Sequence, residues 1–128
     1  MDFTAASVSV EEDEDLWRVT FADSPFNARR YLVLQRGKAP DAQDAELGLD
    51  GYSVEVNDAA NACYGGLELF ELARDHAAVT FEDDALPGLD GATTVIVRFA
   101  LRGRQYDQLR GCLARIFEGD GCFIDADR

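Results

Sequence analysis

VEVNDAANACYGGLELFEL, running from Val54 to Leu72, is the stretch whose reading decides the fold. Val54 and Val56 alternate with Glu55 and Asn57, the period-two pattern of a strand with one buried face. Alternation stops at Asn57-Asp58-Ala59-Ala60-Asn61 and resumes after Gly65-Gly66 with Leu67 and Leu69, so two strands flank a loop. Phe70 and Leu72 fall on the face opposite Leu67 and Leu69, which predicts either a strand covered on both sides or a bulge that re-aims it. Within the loop, Asn57, Asp58 and Asn61 can bond to backbone and tolerate turn geometry, and Tyr64 offers a flat ring with a hydroxyl. Gly65-Gly66 admits positive φ or a close backbone approach. Two readings stay open for the loop: plain strand punctuation, or a recognition surface.

Strand signals dominate on either side. Ala6, Val8 and Val10 alternate with Ala5, Ser7 and Ser9 until Glu11-Glu12-Asp13-Glu14-Asp15, five adjacent carboxylates that predict a solvated hairpin turn, or else a patch for a cationic partner. Trp17, Val19 and Phe21 share one face of the return strand. Tyr31-Leu32-Val33-Leu34 is apolar on both faces, as a deeply placed strand requires. Tyr52 opens the strand of Val54 and Val56; Ala77, Val79 and Phe81 mark another beyond the Arg74-Asp75-His76 turn, and Val95, Val97 and Phe99 the last. Between Gly37 and Asp50 the spacing predicts a loop with one helical turn at residues 42–47, N-capped by Asp41.

From Gly103 to Glu118 the period changes to that of a helix. Tyr106, Leu109, Leu113, Ile116 and Phe117 form an apolar stripe, and Gly119 stands where a C-cap would end it. Gly111 weakens the helix interior by about 0.5 to 1 kcal/mol relative to Ala and would permit close contact with a strand. The expected fold is α+β: one β-rich domain over residues 1–128, mainly an antiparallel sheet of about six or seven strands, with the C-terminal amphipathic helix packed on it.

Charge narrows the partners. Twelve basic residues against 25 acidic ones give a net charge of −13, and the basic residues are scattered. Nucleic acid binds through clustered Lys and Arg that release counterions, so it is excluded as a direct partner; a basic protein surface is favoured instead. Cys63, Cys112 and Cys122 make an odd count without CxxC or metal-ligand spacing, which argues against a disulfide framework and a zinc site. No basic segment followed by an apolar run opens the chain, and no stretch approaches the about 18 apolar residues of a membrane span, so a cytoplasmic protein is expected.

Catalytic signals are weak. His76 is the single histidine and sits in a turn; Cys63 could pair with it only as a nucleophile without any supporting motif. Glu82-Asp83-Asp84 lacks the spacing and glycine of a calcium loop and reads as a charged loop or first helical turn, and Gly65-Gly66 lacks the context of a phosphate cradle. No metal and no cofactor is expected.

Taken with YLVLQR at Tyr31 to Arg36, GLDGYSVEVND at Gly48 to Asp58, CYGGLE at Cys63 to Glu68 and the closing LRGCLARIFEG, the chain resembles the immunity protein 10 family of bacterial polymorphic toxin systems over most of its 128 residues. The resemblance implies a small cytoplasmic protein that binds and neutralises a cognate toxin by occlusion, with a basic nuclease domain as one such partner, and implies no catalytic residue. It marks Asn57, Asp58, Asn61, Tyr64, Gly65, Gly66 and Glu68 as the toxin-binding segment, the carboxylates pairing Lys or Arg and Tyr64 serving as an anchor. A different reading is a small-ligand or regulatory module with the Asn57 to Tyr64 loop as its pocket, and a third is a homodimer through a strand edge.

Overall fold

The computed structural model describes residues 1–39, 51–83, 85–86 and 93–126, and among these described residues it has ten strands and one helix. In chain order they are β1 (Asp2–Thr4), β2 (Ser7–Glu12), β3 (Leu16–Ala22), β4 (Tyr31–Gly37), β5 (Tyr52–Val56), β6 (Ala62–Tyr64), β7 (Leu67–Leu72), β8 (His76–Phe81), β9 (Thr94–Arg98), α1 (Gly103–Ile116) and β10 (Phe123–Asp125). The helical turn expected at residues 42–47 and its cap Asp41 lie outside the described residues, as does Asp84.

All seven expected strands are present, six read from alternation and β4 from its apolar run, the α+β class holds, and three short edge strands are added. The strands divide between two sheets. One is the antiparallel meander β2-β3-β4-β5-β6; the other has the order β1-β9-β8-β7-β10, with antiparallel centre and parallel pairs β1 with β9 and β10 with β7 at its margins. In the meander, register aligns Val10, Val19, Leu34, Val54 and Cys63 across one face. The opposite face carries the row Glu11, Arg18, Gln35, Ser53 and Tyr64. Period-two alternation thus sends one row inward and one outward from the same five strands.

A register shift between Leu67 and Leu69 interrupts the β7–β8 ladder. It answers the question posed by the LELFEL pattern: the extra residue re-aims the strand, so Leu67, Phe70 and Leu72 are all buried while Glu68 is exposed.

The inner faces of the two sheets meet in one hydrophobic cluster, where Phe21 and Phe99 stack across the gap with ring centroids 5.7 Å apart. Helix α1 packs against β2, β3, β4 and β10 and closes the side of this wedge. Its expected stripe is buried throughout: Tyr106, Leu109, Leu113 and Ile116, with Phe117 just beyond. Each such side chain contributes about 1.5 to 3 kcal/mol by leaving water. Phe117 lies 4.9 Å from the Tyr52 ring, 5.3 Å from Phe70 and 5.7 Å from Phe123, so the helix end ties both sheets together.

The helix starts where the Gln105 Oε1 accepts a hydrogen bond from the Arg102 N–H at 3.1 Å, and it ends in a turn that leads to Gly119 at φ 84°, the left-handed conformation expected of a C-terminal glycine. Gly111 behaves differently from the expectation of close contact with a strand. It is exposed, and a Cβ there would meet nothing within 4 Å.

The acidic run folds more locally than its composition implies. β2 continues through Glu11 and Glu12, whose carboxylates pair with Arg18 and Lys38, each at 2.9 Å. The turn itself is Asp13 to Asp15, where the Asp13 Oδ1 accepts the Asp15 N–H at 2.7 Å and the Leu16 N–H at 3.0 Å.

Candidate functional site

The polar side chains of the loop after β5 turn toward their own backbone. Asn57 adopts φ 63°, a left-handed conformation that asparagine tolerates better than most residues. Its Oδ1 accepts the Tyr31 N–H at 2.8 Å and its N–H donates to the Tyr31 carbonyl at 3.2 Å, which fastens the loop to the start of β4. Asp58 Oδ1 accepts the Ala60 N–H at 2.8 Å, and Asn61 Nδ2 donates to the Val56 carbonyl at 3.0 Å. These bonds make Asn57, Asp58 and Asn61 the staples of a β5–β6 hairpin, the work that amide and carboxylate side chains do in turns.

Gly65 and Gly66 carry the chain from one sheet to the other, between β6 and β7. Both have positive φ, 70° and 87°, and a Cβ on Gly66 would lie 3.0 Å from Cys63 Sγ and 3.2 Å from Ala85 Cβ. Gly66 therefore serves both needs of the sequence reading, left-handed backbone and close approach. Tyr64 is 53% exposed on β6, paired with Ser53, whereas Asn57 follows the far end of β5. Four residue steps along the strand, from Ser53 to Asn57, separate those positions, about 13 Å. Glu68 is exposed on the other sheet. The seven expected residues thus form a turn, a crossover and two outward side chains instead of one constellation.

What alternation conceals is the outer face of the meander sheet. The row Glu11, Arg18, Gln35, Ser53, Tyr64 lies beside the row Ser9, Thr20, Val33, Glu55, Ala62. Arg18 bridges its neighbours, Nη1 to Glu11 at 2.9 Å and Nε to Gln35 Oε1 at 3.0 Å. The Tyr31 hydroxyl donates to Glu55, and burial together with that carboxylate pushes its pKa up to about 12. The face is polar, hydrogen-bonded within itself, and tipped at one edge by the Tyr64 ring. Its signal in the sequence was the set of positions that alternate out of the core, which single no residue out.

The chemistry expected of a nucleophile is not assembled. Cys63 Sγ contacts the Gly65 carbonyl at 3.3 Å, and burial, reinforced by Glu82, holds its thiol above the ordinary value, so the reactive thiolate is disfavoured. His76 begins β8 in the other sheet, its Nδ1 2.7 Å from Asp75 Oδ1, which holds the Asp75 carboxyl below its usual range. Burial raises Cys112 to about 11 and Cys122 to about 12. Among the described residues no group of three or more His, Cys, Asp or Glu is placed to hold a metal ion, and no helix is long and apolar enough to cross a membrane.

Two clefts formed by described residues lie away from the Asn57 to Tyr64 loop. One, of about 260 Å³, is lined by Asp75, His76, Ile96 and Arg98 on the outer face of the second sheet. The other, of about 400 Å³, runs between β2 and α1.

In a comparison with known families, the model described as Immunity protein 10 matches residues 3–107. That span takes in both sheets from Phe3 of β1 through β9 and reaches the first turn of α1. No curated protein matches the chain.

Proposed function

The chain belongs to the Immunity protein 10 family, and from that membership we propose that it binds and neutralises a cognate toxin of a bacterial polymorphic toxin system. The match over residues 3–107 is the observation that carries this reading. Mechanistically, the protein acts by occlusion in the cytoplasm: a preformed surface docks on the toxin and blocks access of its substrate, with no chemistry of its own.

The physical properties of the chain support that role. A net charge of −13 attracts cationic surfaces and accelerates encounter with them at low salt. A toxin that acts on nucleic acid has a basic cleft, so a nuclease domain is the partner this charge suits best. A thiol kept protonated and a histidine on the other sheet support inhibition over catalysis.

Within the segment marked by the family resemblance, the residues divide by role. Tyr64 is the anchor, Asp58 and Glu68 supply carboxylates, and Asn57, Asn61, Gly65 and Gly66 hold the loops that present them. A half-exposed aromatic on an ordered strand loses little side-chain freedom on docking, which is why tyrosine recurs among high-energy contacts.

Co-expression tests the proposal. Cells that make the toxin domain encoded beside this chain should survive when the chain is present and die when it is absent; equal killing in both refutes it.

A further inference from the structure

Among the described residues β2 pairs with β3 alone, and with six residues it is the longest edge in the molecule, since the other three edges, β1, β6 and β10, have three each. The Asp13 N–H donates to the Leu16 carbonyl at 3.1 Å, which makes that pair a hydrogen-bonded one. Alternation along the antiparallel ladder then commits Ser7, Ser9 and Glu11 to β3 and turns the N–H and C=O groups of Val8, Val10 and Glu12 to the free edge. Such a row is a template for another strand. Proline and bulges, two common devices that blunt edges, are absent: SVSVEE runs in unbroken register with β3.

Beside this edge lies the groove of about 400 Å³, lined by Val10, Glu12, Asp107, Gly111, Cys112 and Arg115. Gly111 is its unexplained element. It sits in the middle of a 14-residue helix, exposed, where alanine would favour the helix and its Cβ would meet nothing within 4 Å. The chain's own packing gives no reason for a missing side chain there. A partner that must come close to the helix does.

Charge decides what kind of partner. Five carboxylates from Glu11 to Asp15 stand at the end of this edge, where Arg18 and Lys38 pair with Glu11 and Glu12 and the groove's Arg115 also acts on Glu12. A second copy carries the same net charge of −13 and is repelled as a whole, whereas a segment bearing Lys or Arg meets complementary charge at the acidic end of the edge. We propose that the β2 edge and the groove over Gly111 receive an extended, cationic segment of the toxin as a sixth strand of the meander sheet. Main-chain pairing supplies affinity, and alternate side chains seated over Gly111 supply specificity. The inference rests on the immunity reading and names the contact that reading leaves open. The β2 edge and Tyr64 on β6 lie at opposite margins of one five-stranded sheet, about 19 Å apart, within the span of a standard interface.

The test combines amide exchange of the full chain, free and with the purified toxin domain encoded beside it, with titration of Gly111→Ala and Gly111→Gln. Val8, Val10 and Glu12 amides should exchange openly in the free chain and slow by about tenfold or more in the complex, while Ser9 and Glu11 hardly change. Both substitutions should raise the Tm by about 2 to 5 °C, yet Gly111→Gln should weaken binding about tenfold or more. Binding that leaves Val8 and Val10 exchanging freely, or that is indifferent to Gly111→Gln, overturns the edge proposal and spares the immunity reading. A homodimer protected at the same amides assigns the edge to a second copy and also overturns it. Failure of the unsubstituted chain to bind the toxin domain sinks both.

Discussion

Arg36 on β4 holds the C-terminus of α1: its Nη1 donates to the Ile116 carbonyl at 3.2 Å and to the Glu118 carbonyl at 2.6 Å. The last carbonyls of a helix have no partner within it and carry the negative end of its dipole, so a guanidinium there satisfies acceptors and charge together. The same contact clasps the helix to the meander sheet and fixes where Phe117 enters the aromatic cluster. Arg36→Ala should therefore lower stability by about 1 to 3 kcal/mol in urea unfolding, and Arg36→Lys should recover part of it. Equal stability of all three proteins would show that the clasp contributes nothing.

Gly65 and Gly66 offer a graded test of the crossover between sheets. Gly65→Ala meets no neighbour but must hold φ near 70°, a cost of about 1 to 2 kcal/mol. Gly66→Ala adds contacts of 3.0 and 3.2 Å that force Cys63 and Ala85 to move, so it should cost more, roughly 2 to 4 kcal/mol. Thermal unfolding of the pair should rank them in that order.

Much of this architecture was legible in the pattern of residues. Six strands announced themselves by alternation because one face of each is buried, β4 by its apolar run at Tyr31 to Leu34, and the helix by a stripe repeated at its own period. The short edges were not legible: Asp2–Thr4, Ala62–Tyr64 and Phe123–Asp125 are three residues each, too brief for any period to register, and they exist because neighbouring strands offer partners. Division into two sheets was hidden for a related reason. Which strands pair across a gap is a matter of register and crossover, and Gly65-Gly66 reads equally well as a hairpin turn or as a passage between sheets. In the loop, the amides Asn57 and Asn61 mark a turn by residue type, but residue type alone does not tell a side chain turned to its own backbone from one held outward.

That distinction separates scaffold from contact. Asn57→Ala should lose the bond to the Tyr31 N–H and strain a positive φ, costing about 1 to 2 kcal/mol of stability. Tyr64→Ala should leave stability within about 0.5 kcal/mol and weaken toxin binding about tenfold. Calorimetry of binding alongside urea unfolding checks both; a large loss of stability in Tyr64→Ala would return that ring to the scaffold.

Stability should depend on pH at both ends. Folded pKa values of Cys112 and Cys122 are raised by burial to about 11 and 12, so each thiol holds its proton longer in the folded state. Their contribution is complete below the unfolded thiol value of about 8.5 and declines as pH climbs from there through the folded values. On the acid side, Glu12 is lowered by Lys38 and Asp13 by the N–H groups of Asp15 and Leu16, so their contributions are present above the unfolded values and decline as pH falls through the folded ones. Urea midpoints should form a plateau between about pH 5 and 8 with losses on both sides. A midpoint that rises between pH 9 and 11 would contradict the buried thiols.

If this acidic protein acts by holding a toxin, survival of a producing cell reads it most directly. Induction of the toxin domain encoded beside the chain, with and without the chain, should give colonies only when the chain is present, and a stable complex of the two should be recovered from those cells. Death in both cultures, with the chain folded and abundant, would contradict the account.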